Sequence, residues 1–236
     1  MVRWEVSGIR LLLPMVMAVQ ALSGVGVVFA IDLWFDDVPP VVALYATTGG
    51  AAVTLVVVGL VVGPQLVAQQ KAEQVYEFVW SLPVPRSAAA ASWFTLNLVI
   101  GVPAAACTVA IGSVVHDFDL HVTPSIVVAV LAAVYTATMI GYALAHALGN
   151  PVFVAIVTQV FIFVLFGFSP TIFPAENLPR WLESVNEWLP FGQVATVVRG
   201  ALTEGIVDGV ARSYAVLAAW AAASTVVTGA VIGRRK

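Results

Sequence analysis

Apolar residues run in long blocks divided by short polar breaks, and the blocks lack the two-residue alternation of a membrane barrel; "SIVVAVLAAVYTATMIGYALAHAL", beginning at Ser125, is typical. A hydrocarbon core about 30 Å thick takes about 20 apolar residues of helix. Several blocks reach that length without one Asp, Glu, Lys or Arg. Lipid offers the backbone no hydrogen-bond partner except its own chain, so such blocks are helical. Apolar length between polar breaks predicts spans near residues 9–31, 41–63, 88–115, 124–148, 151–168 and 213–233. The pattern is that of an all-α polytopic membrane protein with six transmembrane helices, in which residues 1–236 form one membrane domain.

Composition agrees: 61% of residues are hydrophobic and 10% charged, against roughly half and a quarter in soluble domains. The apolar stretch after Arg3 and Arg10 is longer than the core of a secretory signal, which predicts a retained first span. Cys107 is the single cysteine and reads as a small packing residue. Six spans put both termini on one side. With the termini inside, Arg3, Arg10, Lys71, Arg86, Arg234, Arg235 and Lys236 are cytoplasmic and only Arg180, Arg199 and Arg212 lie outside, as the positive-inside rule requires. The chain is therefore expected in the cell (plasma) membrane, multi-pass, with both termini cytoplasmic.

The chemistry available to the chain is narrow. Its two lysines, Lys71 and Lys236, lack the glycine before and the Ser or Thr after that a phosphate-binding P-loop needs. Mid-span depths hold Asn97, Gln159 and several threonines, which can hydrogen-bond between helices but cannot relay protons. His146 stands beside "GNP" at a span end, where a solvated or hydrogen-bonded imidazole is expected. The run "HDFDLH" (His116, Asp117, Asp119, His121) has metal-ligand chemistry but reads as a solvated outer loop. Neither Ser169 nor Cys107 has a base by any spacing argument. No catalytic or metal-binding residue is expected.

Two segments say more. Residues 69–82 place Val75, Phe78, Val79 and Leu82 at helical spacing, with Lys71, Glu73 and Glu77 on other faces, and Pro83 stops the pattern; this predicts a short amphipathic cytoplasmic helix after the second span. From Phe168 to Leu202, prolines divide the chain into pieces too short to span, while Phe173, Trp181, Trp188 and Phe191 suit an interface.

In both places the chain resembles the permease subunits of the ABC type-2 exporter family. "QKAEQVYEFVWSLPVPR" keeps that family's basic residue at Lys71, its acid at Glu77, its proline at Pro83 and its arginine at Arg86, and departs at Gln70, Ala72, Glu73, Gln74, Val75 and Pro85, and mildly at Val79. Pro174, Leu178, Pro179, Trp181, Leu182, Pro190 and Arg199 follow the order of the family's outer segment. The resemblance implies a cytoplasmic coupling helix built around Lys71, Glu73, Glu77, Phe78, Pro83 and Arg86. It also implies short re-entrant helices in the outer leaflet between the fifth and sixth spans. The implied function is that of an ATP-driven exporter permease for an amphipathic small molecule, drug or lipid-linked substrate, working by alternating access. Implied partners are two copies of a separately encoded ATPase, a second or related permease, and membrane lipid, but no nucleic acid. ATP and magnesium would sit on the ATPase, and no cofactor on this chain. A gradient-driven transporter or channel and a non-transporting scaffold are the alternatives.

Three sets of residues carry specific expectations. Glu73 and Glu77 should meet a basic groove on the ATPase. Gly59 and Gly63 form a small-xxx-small pair for a tight helix seam. The resemblance puts the substrate path along the second and fifth spans near a dimer axis, with Thr158, Gln159 and Phe161 ranked ahead of Phe166.

Overall fold

The computed structural model describes residues 13–33, 35, 37–74, 86–203 and 205–234, the last without the side chains of 232–234 and the fourth without those of 86–87. Among these residues every regular element is helical. In chain order they are α1 (Leu13–Asp32), α2 (Pro40–Val57), a widened π turn (Val58–Val62), α3 (Gly63–Ala72), α4 (Arg86–Val115), α5 (Ser125–Ala147) and α6 (Pro151–Gly167). A single 3-10 turn (Ala175–Asn177), α7 (Arg180–Asn186), α8 (Pro190–Leu202) and α9 (Val210–Arg234) complete the set.

Among the described residues, five continuous helices are long and apolar enough to cross a membrane: Leu13–Asp32, Pro40–Ala72, Ala88–Val115, Ser125–Ala147 and Val210–Val231. The fifth predicted span, α6, has 17 residues and so a rise of about 25 Å. Prolines open α2, α6 and α8, where the missing amide hydrogen costs nothing. Asn150 caps α6 by accepting the Val152 amide at 2.8 Å.

Contacts fix which helix ends lie together. His116, just past α4, meets Asp32 at the end of α1 at 3.0 Å, so both helices finish at what is called here the Asp32 end. At the opposite, Lys71 end, the Lys71 ammonium donates to the Ala145 carbonyl at 2.6 Å, which places the ends of α3 and α5 together. The α2–α3 helix is the buried centre, with α1 and α9 on the periphery. Helix α1 packs on α2 and α4, α9 on α5, α6 on α3, and α8 on α2, α5 and α9.

The segment between α6 and α9 turns back among the spans. The ring of Phe191 at the start of α8 lies 5.8 Å from that of Phe161, six residues or about 9 Å before the end of α6. Trp220, ten residues into α9, donates its indole N–H to the Trp188 carbonyl at 2.7 Å. Helix α8 then climbs back, and its final carbonyls, Ala201 and Leu202, accept the amides of Thr123 and His121 at 2.9 and 3.1 Å. Short helices between the fifth and sixth predicted spans are thus present.

The amphipathic segment differs from expectation. Instead of opening a separate helix, residues 69–72 continue the second span, so that helix runs about nine residues past the predicted end at 63. It stops where Gln74 adopts a left-handed φ of 60° and its amide folds back to the Lys71 carbonyl at 3.2 Å. One unbroken helix over 69–82 is ruled out by that turn. Glu77, Phe78 and Pro83 lie outside the described residues.

Candidate functional site

In the middle of the second span two helix backbones come into direct contact. A Cβ on Gly59 would stand 2.8 Å from the Thr138 amide nitrogen, and one on Gly141 would overlap the Gly59 carbonyl oxygen. The tight seam is therefore Gly59 against Gly141, between the π turn and α5. Gly63 is less constrained; a Cβ there would meet the Trp93 ring at an ordinary 3.8 Å and the Val58 carbonyl at 3.3 Å. Beside the seam Asn97 donates to the Thr138 hydroxyl at 2.6 Å, the interhelical bond its mid-span position suggested. A π turn inserts one extra residue and is common at working positions of helices. Here it coincides with the Gly59–Gly141 backbone contact.

Helix α6 separates the four path candidates. Thr158 is fully buried and accepts a 2.8 Å hydrogen bond from Gln65, which ties α6 to α3. Gln159, the next residue, is exposed and its amide has no hydrogen bond among the described residues. It shares an outward face with Val152, Ile156, Val160 and the 68%-exposed Phe163. Phe161 packs inward on Phe191. Phe166 is the candidate that reaches a cavity, a partly open 580 Å³ space that it lines together with α1, α2 and the segment after α6.

Arg199 forms the strongest polar cluster at the Asp32 end. It is 1% exposed. Its Nε donates to Thr48 Oγ1 at 2.9 Å, and Nη2 donates to the carbonyls of Thr171 at 2.7 Å and Tyr45 at 3.3 Å. The guanidinium also lies 3.8 Å from the Tyr45 ring centre. A buried cation needs compensation, and here neutral oxygens and an aromatic face supply it. Helix α8 is thereby clamped to α2 and to the segment after α6. Nearby Asn186, also buried, donates to the carbonyls of Phe168 and Leu182 at 2.7 and 2.9 Å. The sequence placed Arg199 among the outer cations and in the order of the family's outer segment, without a clamping role. The available signal was a lone cation inside the apolar run "VATVVRGAL".

At the Lys71 end, the Lys71 ammonium holds an end carbonyl of α5, where a helix favours positive charge. Glu73 accepts from Gln69 at 3.0 Å on the surface. Arg86 begins α4. His146 is buried, with Nδ1 2.7 Å from the Tyr142 carbonyl and its ring 4.2 Å from the Tyr142 ring. In "HDFDLH", His116 is engaged by Asp32, and among the described residues no three His, Cys, Asp or Glu side chains converge as metal ligands.

Long apolar helices, hydrogen bonds between neutral mid-span groups such as Asn97 and Thr138, and a proline-broken hairpin clamped between spans by Arg199 are features of a multi-pass membrane protein. Residues 16–230 match the family described as ABC-2 family transporter protein. With nearly its whole length matched, the chain belongs to that family. Permeases of the family are membrane components without catalytic activity of their own and typically pair with an ATPase subunit. No curated protein matches the chain closely enough to count as a relative.

Proposed function

We propose that this chain is the permease subunit of an ATP-driven exporter that moves an amphipathic small molecule, drug or lipid-linked substrate outward by alternating access. The observation that carries the reading is the family match over residues 16–230. In this reading α6 is the fifth of six spans, both termini are cytoplasmic, and the Lys71 end faces the ATPase. Two ATPase copies bind two permease subunits, and ATP and magnesium sit on the ATPase. Efflux of this kind would make the complex an antibiotic-resistance determinant if its substrate were a drug.

Coupling enters through Lys71 and Glu73, with Glu77, Phe78, Pro83 and Arg86 completing the contact. Because Lys71 is bonded to the end of α5, a push on this segment reaches two spans at once. It also acts on the long helix that contains the Gly59–Gly141 seam. The unpartnered amide of Gln159 supports a dimer axis near α6: in hydrocarbon such a group needs a protein or water partner, and a second permease copy supplies one. Thr158 then contributes by holding α6 in register rather than by touching substrate.

The test is to purify the chain together with its ATPase, reconstitute both in liposomes and measure ATP hydrolysis. Hydrolysis that depends on the permease and rises with an amphipathic substrate supports the reading. An ATPase that neither binds the chain nor responds to it counts against it.

A further inference from the structure

We infer that the cavity between α1, α2 and residues 172–177 is a binding slot for one hydrocarbon chain of a membrane amphiphile. Its volume of 580 Å³ falls in the range of small-molecule sites. On α1 its wall runs from Ser23 to Ile31, eight residues or about 12 Å along the helix. The slot is therefore elongated and parallel to the spans, the direction in which lipid tails lie. Small residues make the room: Gly26 and Ala30 line it, and a Cβ on Gly26 would meet nothing within 4 Å. That contrasts with Gly24, two residues earlier, where an added Cβ would strike the Thr54 and Thr108 side chains.

The slot is unsuited to water. Its lining is almost wholly apolar, with Phe166, Phe173 and Val42 opposite α1. The Ser23 hydroxyl is already spent on the Val19 carbonyl at 2.8 Å. A water molecule needs two or more polar partners, and an apolar void left empty forfeits dispersion contacts along its walls. An alkyl chain restores those contacts, and bilayer tails surround α1, whose Met15, Leu22 and Phe29 are exposed. The Tyr45 wall is fixed from behind by Arg199, so the slot is preformed. The chain can come from a bilayer phospholipid or from a free single-chain amphiphile.

The inference rests on the membrane-spanning reading but not on ATP-driven export, so it is tested without an ATPase and its failure leaves the exporter reading intact. The full chain is reconstituted in phosphatidylcholine vesicles carrying either a fatty acid or a phosphatidylcholine with a photoreactive diazirine on its acyl chain. After irradiation, labelled peptides are mapped by mass spectrometry. Labelling concentrated on the slot-facing residues of α1 and on residues 172–174 is expected from at least one probe, and the responding probe identifies the source. Gly26→Phe should fill the slot and abolish that labelling. Gly229→Phe, at a position on α9 equally open to an added Cβ, should leave it unchanged, and both variants should elute as the parent does. If labelling is spread evenly over the exposed face of α1, or survives Gly26→Phe, the slot does not hold a chain.

Discussion

The guanidinium of Arg199 lies 3.8 Å from the centre of the Tyr45 ring, and this pair joins the re-entrant hairpin to the second span. Removing the cation strands three acceptors in a water-poor site. Arg199→Met is expected to cost about 2–4 kcal/mol, the scale of one or two hydrogen bonds to a charged group. Arg199→Lys should not restore it, because a compact ammonium cannot reach three separated acceptors and stack on the ring. Thermal unfolding of the purified chain in detergent checks both, and unchanged midpoints would remove Arg199 as the clamp.

The Gly59–Gly141 seam makes a graded prediction. Gly141→Leu forces a side chain into the Gly59 carbonyl and should destabilise by about 1–3 kcal/mol or more. Gly63→Ala, whose Cβ presses only on the Val58 carbonyl oxygen at 3.3 Å, should cost clearly less than Gly141→Leu. Equal effects at positions 63 and 141 would return the seam to the Gly59/Gly63 pair.

Helix α6 offers a test of which face is accessible. In a background with Cys107, the single native cysteine, replaced by serine, Thr158→Cys should resist a membrane-permeant thiol reagent, whereas Gln159→Cys should react in the detergent-dissociated monomer and be shielded in the dimer. A double-mutant cycle of Gln65→Ala and Thr158→Val should give a coupling of about 0.6 kcal/mol, the average for membrane interhelical hydrogen bonds. A reactive position 158 with no coupling to position 65 would place Thr158 on the path after all.

The span positions were legible because hydrocarbon thickness imposes a minimum apolar length on every crossing helix; α5, expected at 124–148, occupies Ser125–Ala147. The end of the second span was not, because residues 69–72 carry no stop signal and the break comes from Gln74, a residue with only a modest tendency to the left-handed region. Helical spacing brought Thr158 and Phe161 to neighbouring positions on one face, but it could not say that Gln65 would take up the threonine. Gly59 and Gly63 were readable as small residues on one face of the second span, but that Gly141 of α5 meets Gly59 was not. Spacing within one helix reveals small residues, whereas a seam is set by what the neighbouring helix brings.

The central claim is that ATP, bound by a partner, drives transport through this chain. Its most direct measurement is uptake of a fluorescent amphiphile into inverted membrane vesicles containing the permease and its ATPase. The account predicts accumulation that requires ATP, persists when ionophores collapse the ion gradients, and disappears when the P-loop lysine of the ATPase is replaced. Uptake that proceeds without ATP and stops with the ionophores would contradict it.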